Sequence, residues 1–434
     1  MGDRVWERRK LESRPYVRRI PERTALYRLV YQERDVLERC WAERFQSEYG
    51  ALRREVLETL DAYLDCGILA HGVARAECES CRHSIIIPFS CKKRGVCPSC
   101  AAKRALIFAG HLHEEVLSPV PSRHVVFSIP KRLRPFMKYD RSLNDILFAA
   151  AWQSLREMFG AVLPEGRPGA VLVLQTAGES LNFNVHIHGI CSDGVFDSDG
   201  NFHELGFMDT DKLAELFGHR VLSALKERSL ISDTVVAQIL GQTHTGFSAW
   251  WGEPIEPGDE SHRLFVAGYI DRGPVANSRI EINDDIVTYH TAKDGLTHEF
   301  SPLEFLARLT PHIPKKWEST VRFFGHFSHR ARGARKRKEA LAQDTCTILP
   351  AEPEQKKKAS KSWAALIKRV FELEPLICPK CQGSMKIKAF ITDTKEVKRL
   401  LDHLGIPPFI KPEPISGPAP PDGFIPDPTN LQFA

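Results

Sequence analysis

The chain has 434 residues, which favours two to four domains over a single core. Its composition, 42% hydrophobic, 26% charged and 9% aromatic, reads as a soluble globular protein, and no apolar run approaches the roughly 20 residues that span a bilayer. A formal net charge of +5 excludes little, but the positive residues gather at Lys92-Lys93-Arg94, Lys131-Arg132-Leu133-Arg134 and His329 to Lys338, which suits a polyanionic partner.

Met1 to Arg19 is charged throughout and lacks the apolar centre of a signal peptide, so a cytoplasmic location is expected. There, 11 cysteines, several of them in Cys-x-x-Cys pairs, favour metal over disulfides. Thr24 to Cys66 reads as helical, with Leu29, Val30, Leu37, Trp41, Leu57 and Leu60 near helical spacing and Gly67 as a stop. Next comes Cys78-x-x-Cys81, followed after 15 residues by Cys97-x-x-Cys100. Two such knuckles can set four thiolates about 2.3 Å from one zinc ion, and Cys91 could replace any of the four. A zinc ribbon bearing Lys92, Lys93 and Arg94 is a plausible DNA-contacting module.

From Arg123 the pattern changes. His124 to Ile129 reads as a strand closed by Pro130, Ser142 to Phe159 as a helix, and Ala170 to Gln175 as a second strand. The last forms a hairpin with Asn182-Phe183-Asn184-Val185-His186-Ile187-His188-Gly189-Ile190. Side chains alternate across a strand, so His186 and His188 share a face and are placed to share a metal ion. The expected fold class is α+β, an antiparallel-sheet palm with flanking helices, behind a helical segment and a zinc ribbon. No Gly-rich phosphate loop is present.

Cys191 to Phe202 is turn-rich, with helices expected at Asp211 to Arg228 and Asp233 to Leu240. Gly252 to Glu260 reads as a Pro/Gly-rich loop, and Asp259, Glu260 and Ser261 suit the start of a helix ending at Ile270. A hairpin turns at Asn283 to Asp285, a strand covers Leu296 to Phe300, and Pro302 starts a helix to about Leu309. Ala351 to Ser360 is a charged linker, and Trp363 to Leu373 a helix. Cys378-Pro379-Lys380-Cys381 lacks two ligands of a second zinc site, for which His403 is one candidate. From Ile406 the chain is Pro-rich and reads as disordered. The implied organisation is a helical segment (1–67), a zinc-binding region (68–120), a catalytic domain (121–340), a linker (341–360), a small Cys-x-x-Cys unit (361–405) and a tail (406–434).

In their order these pieces resemble the rolling-circle transposases of the insertion-sequence ninety-one family, among the His-hydrophobic-His single-strand endonucleases. The resemblance rests on the cysteine region opening with Leu64-Asp65-Cys66-Gly67, on Ser128-Ile129-Pro130-Lys131-Arg132-Leu133-Arg134, on Gln175-Thr176 and on the histidine strand. It continues through Pro302 to Leu306, His312-Ile313-Pro314, Arg322-Phe323-Phe324-Gly325, Arg330 to Gly333 and Cys378 to Cys381.

What the resemblance implies is cleavage and rejoining of single-stranded or hairpin DNA at insertion-sequence ends by a tyrosine, in a prokaryotic cytoplasm beside the nucleoid. The family often carries two tyrosines four residues apart. Here those positions are Phe265 and Tyr269, so Tyr269 is the nucleophile and the chain resembles the single-tyrosine branch. A phenol of reference pKa about 10 is a weak nucleophile, so Mg2+ or Mn2+ on His186 and His188 is expected to assist. The third ligand is expected at Gln175, with His124 and Glu179 as fallbacks, because the family's further histidine is here Asn184. Arg330, Arg332, Arg335 and Lys336 would hold phosphates with Lys92, Lys93 and Arg94, and Trp250, Trp251 or Phe324 would stack bases or sit in the core. The substituted Phe323 and Phe324 suggest that their motif is structural. Two other readings remain. A decayed, zinc-binding DNA-binding descendant would bind DNA without nicking it. A small-molecule metallohydrolase would need a βα alternation that the sequence lacks.

Overall fold

The computed structural model describes residues 19–161, 163–291, 295–343, 378–412 and 414–415. The strands in chain order are β1 (Val73–Cys78), β2 (Ser84–Pro88), β3 (Ser122–Ser128), β4 (Gly169–Ala177), β5 (Phe183–Ser192), β6 (Gly194–Phe196) and β7 (Phe202–Glu204). They continue with β8 (Ser248–Ile255), β9 (Ile280–Asn283), β10 (Ile286–His290), β11 (Thr297–Phe300), β12 (Val321–Gly325) and β13 (Met385–Ile391). The central sheet is antiparallel, in the order β12-β4-β5-β3-β8, with the histidine strand β5 in the middle.

Period-two alternation divides this sheet into two working faces. Val185 and Ile187, with Val125, Phe127, Leu172 and Leu174, are buried beneath the helices Asn144–Gly160 and Thr210–Glu227. Each of these large apolar side chains contributes about 1.5–3 kcal/mol by leaving water. The other face carries Val171, Val173 and Ile190 against the helices Pro98–His111 and Glu260–Ile270. His186 and His188 share that second face. The mixed helix and antiparallel sheet agree with the α+β expectation.

A second core joins the helices Ala25–Arg44 and Pro302–Leu309 to the β9-β10-β11 sheet through Leu29, Leu37, Val287, Tyr289, Phe305 and Leu306. The helical lead-in is broken at Gly50, whose φ of +78° suits glycine. Thr24 caps the first helix by accepting from the Tyr27 amide.

Three expectations are corrected. The Gly252 to Glu260 loop begins as strand, because β8 runs to Ile255; it is an edge strand, where Pro254 removes no ladder bond that a central strand would need. The small unit at 361–405 is not separate where it is described: β13 pairs with β1, from Val73 opposite Ile391 to Cys78 opposite Met385. In the tail from Ile406, described residues Phe409, Pro414 and Ile415 are ordered against the first helix. Arg28 donates to the Pro414 carbonyl at 2.8 Å, the Ile415 amide donates to Gln32 at 2.9 Å, and the rings of Phe409 and Tyr31 stand 5.9 Å apart. These partners satisfy backbone groups that would otherwise need water. The linker Ala351 to Ser360, the helix Trp363 to Leu373 and the tail beyond residue 415 lie outside the described residues.

Candidate active site and metal centres

On β5, His186 and His188 bring their Nε2 atoms to 3.0 Å of one another. Nδ1 of His186 lies 2.7 Å from the Asn184 carbonyl, to which only a protonated nitrogen can donate. That tautomer leaves the His186 Nε2 lone pair aimed at its neighbour. Nδ1 of His188 meets Nε2 of His124 at 2.9 Å, so His124 stands behind the pair and orients it, as outer-shell partners orient metal-bound imidazoles. Burial, followed by the positive charges of Arg272 and His262, pushes His124 down to about 4 and holds it neutral.

Gln175 lies opposite His186 across the β4–β5 ladder. Its Nε2 donates to the carbonyls of Ile270 at 2.8 Å and Tyr269 at 3.3 Å, which ties the end of the Glu260–Ile270 helix to the sheet and leaves Oε1 as an acceptor. Asn184, two residues before His186, has a buried Oδ1 without a hydrogen-bond partner. The fallback Glu179 lines the same cleft.

The tyrosine helix begins at Asp259, whose carboxylate accepts from the His262 amide at 3.0 Å. Its buried Val266, Ala267 and Ile270 fix it on the sheet and against Ala109 of the Pro98–His111 helix. Arg104 of that helix pairs with the buried Asp271 at 2.9 Å. Tyr269 therefore faces the histidines, its ring centre 5.6 Å from His188 and 5.9 Å from His124. Phe265 stacks on Tyr269 at 6.1 Å. Tyr289, 1% exposed, belongs to the second core, and burial raises its pKa.

These groups line a cleft of about 940 Å³ whose walls carry Arg94, Arg104, Arg141, Arg272 and Arg279 against Asp271 and Glu179. Trp250, 52% exposed, stands at its edge beside His124, whereas Trp251 packs into the core and Phe324 stacks on Trp152 at 5.1 Å. The proposed phosphate contacts differ in availability. Lys92 and Arg330 are exposed and Lys93 is half-buried. Arg94 already donates to the Glu318 carbonyl at 2.7 Å and to Thr320 at 2.9 Å. Arg332 and Arg335 donate to backbone carbonyls, and Lys336 pairs with Glu115.

The cysteines group otherwise than their spacing implies. Cys78, Cys81, Cys97 and Cys100 do not form one site. Cys66, Cys91, Cys97 and Cys100 form one quartet, and Cys78, Cys81, Cys378 and Cys381 another, each with its ligand atoms within 4.8 Å. In the first, Cys66 Sγ lies 3.6 Å from Cys97 Sγ and from Cys100 Sγ. An all-sulfur set of this closeness fits tetrahedral zinc. Cys97 also caps the Pro98–His111 helix, so the zinc site anchors the surface on which the tyrosine helix rests. Sequence spacing missed Cys66 because it stands alone before Gly67, at the end of a helix; His403 belongs to neither quartet.

Residues 36–129 match a family described as a transposase zinc-binding domain, and residues 169–335 one described as a putative transposase. Both descriptions place the chain in one class, the transposases. Over 385 residues it is 26% identical to the transposase for insertion sequence element IS801 of Pseudomonas savastanoi pv. phaseolicola, covering 81% of this chain and 88% of that protein. The chain belongs to the IS91 family of transposases. No solved structure matches it. No helix among the described residues is long and apolar enough to cross a membrane.

Proposed function

We propose that this transposase cuts and rejoins single-stranded DNA at insertion-sequence ends by the rolling-circle route, with Tyr269 as its one nucleophile. The observation that carries this reading is the placement of the Tyr269 ring beside the His188 and His124 rings in an arginine-lined cleft. The Tyr269 oxygen attacks the scissile phosphorus, the bond to the 3′ oxygen breaks, the phenol proton passes to solvent and the 3′ oxygen takes one up. A 5′-phosphotyrosine and a free 3′ hydroxyl result, and attack by a 3′ hydroxyl reverses the step, so no bond energy is lost. With Phe265 in the neighbouring position, each chain holds one covalent link at a time.

The residues fit a divalent ion: two Nε2 atoms converge, Gln175 offers an amide oxygen, and the unpartnered Asn184 Oδ1 stands on the same strand. Mg2+ or Mn2+ held by His186, His188 and Gln175 would withdraw electron density from the scissile phosphate. Arg272, against the Tyr269 ring, and Arg104, on Asp271, bring positive charge to the bound strand, and Trp250 offers a face to an unstacked base. Lys92, Lys93 and Arg330 add phosphate contacts that do not read sequence.

The test is a denaturing gel of protein incubated with labelled single-stranded DNA carrying the element's end and Mg2+ or Mn2+. A covalent band lost in Tyr269→Phe and His186→Ala but kept in Tyr289→Phe is expected. A band that survives Tyr269→Phe removes the assignment, and DNA binding without any band favours the decayed, zinc-binding alternative.

A further inference from the structure

The second cysteine quartet draws its two halves from opposite ends of the chain, Cys78 and Cys381 being 303 positions apart. Both halves have the same backbone. After Cys78-x-x-Cys81, the Arg82 amide donates to the Cys78 carbonyl at 3.1 Å and the Cys78 amide to the His83 carbonyl at 2.8 Å. After Cys378-x-x-Cys381, the Gln382 amide donates to the Cys378 carbonyl at 2.9 Å and the Cys378 amide to the Gly383 carbonyl at 2.8 Å. The residue following the second cysteine is left-handed in each, Arg82 at φ +61° and Gln382 at φ +60°. Non-glycine residues adopt that conformation at a cost, and here two unrelated side chains adopt it at matching positions.

The two knuckles face each other. Cys78 Sγ lies 3.5 Å from Cys381 Sγ, and Cys81 Sγ 3.6 Å from Cys378 Sγ. Four sulfurs on a tetrahedron with Zn–S bonds of about 2.3 Å would be about 3.8 Å apart, whereas a disulfide brings two sulfurs to about 2.05 Å. The separations match shared zinc and exclude a pairwise bond. The buried apolar support around the sulfurs is small, Ala76, Ile85 and Met385, and a separate small cluster packs Val397 and Leu401 against Leu69, Val73 and Ile86. So small a core needs a metal staple to hold a distant segment in place.

We propose that Cys78, Cys81, Cys378 and Cys381 bind a second structural Zn2+ that clasps residues 378–404 to the amino-terminal zinc-binding domain, closing the β13-β1-β2 sheet. The clasp stands apart from strand cleavage, because the tyrosine helix rests on the helix capped by the other quartet. The first quartet is supplied wholly by residues 66–100. The clasp is supplied by two segments and has the exposed Cys381 at its rim, so it gives up its metal first.

Zinc in the reduced full-length protein is measured by elemental analysis, and thiol protection by iodoacetamide labelling read as peptide masses. Two zinc ions per chain are expected, falling to one in Cys381→Ser and remaining two in Cys381→His, which keeps a zinc ligand. In the unmodified zinc-saturated chain, Cys381 resists labelling although it is exposed, and under limiting chelator Cys81 and Cys381 label before Cys66 and Cys97. One zinc per chain, two zincs retained in Cys381→Ser, or free labelling of Cys381 with zinc bound overturns the clasp. The labelling arm needs no variant, so it decides the matter even if a substituted chain does not fold.

Discussion

The guanidinium carbon of Arg272 lies 4.2 Å from the centre of the Tyr269 ring. A cation on an aromatic face holds the ring by about 0.5–2 kcal/mol and, in the proposed reaction, also meets the phosphate that the tyrosine attacks.

Arg272→Ala should therefore slow formation of the covalent protein–DNA adduct by about tenfold or more, since about 1.4 kcal/mol corresponds to a factor of ten. Arg272→Lys restores only part of the rate, because an ammonium lacks the planar fork. Single-turnover gels follow the rate. An unchanged rate in Arg272→Ala removes this arginine from the mechanism.

Much of this site was legible in the sequence. The period-two pattern of Val185, His186, Ile187 and His188 gave the strand and its two faces, because burial leaves a strand no freedom to slip by one residue. The helix carrying Tyr269 was readable from its capping Asp259 and its apolar run. What stayed hidden was pairing between distant segments. Cys78-x-x-Cys81 and Cys97-x-x-Cys100 have the spacing of one zinc site, yet the fold gives each pair a different partner, Cys378 and Cys381 for one and Cys66 and Cys91 for the other. Spacing reports only what lies close along the chain. The contact of His124 with His188 was hidden for the same reason, since it depends on the register of β3 against β5.

The amide oxygens beside the histidines should set the affinity for a divalent ion. Gln175→Ala and Asn184→Ala are each expected to weaken Mn2+ binding several-fold, while His186→Ala abolishes it, as read by calorimetry without DNA. If Asn184→Ala binds Mn2+ as tightly as the parent chain, its buried Oδ1 serves another purpose.

DNA affinity should fall steeply with salt. Arg330→Ala, which removes an exposed cation, is expected to lower the slope of log K against log salt by about one unit. Lys336→Ala should lower it less, because Lys336 already pairs with Glu115. Equal slopes for Arg330→Ala and the parent chain would place the DNA elsewhere.

His312 makes folding stability depend on pH. Its Nε2 donates to the Leu181 carbonyl at 3.0 Å and its Nδ1 accepts from the Thr176 hydroxyl at 3.0 Å. Burial, helped by Arg141 and Lys138, pushes it down to about 4, against the opposing bond to Leu181. The unfolded chain takes up a proton near pH 6.5 and the folded chain only near 4. Its contribution is thus complete above about pH 6.5 and falls as pH drops towards 4, by on the order of 3 kcal/mol. Urea midpoints at pH 7.5, 5.5 and 4.5 should show a flatter decline in His312→Gln. Parallel declines in the two proteins would assign the acid sensitivity to other groups, such as His326.

Arg141 and Glu318 form the most enclosed of the ion pairs that line or support the cleft, with side chains 3% and 11% exposed. Arg141 Nε lies 2.9 Å and Nη2 3.0 Å from the two carboxylate oxygens, and Nη1 donates to the Pro311 carbonyl at 2.8 Å. Glu318 also accepts from the Lys315 amide at 2.8 Å and from Asn144 at 3.2 Å. Removing one partner leaves a buried charge without its counter-ion, which costs about 3–5 kcal/mol. Glu318→Leu and Arg141→Met should each lower the unfolding midpoint strongly, and the double variant should lose less than either single, because it buries no unpaired charge. Losses that simply add in the double variant would show that the two side chains stabilise the cleft independently.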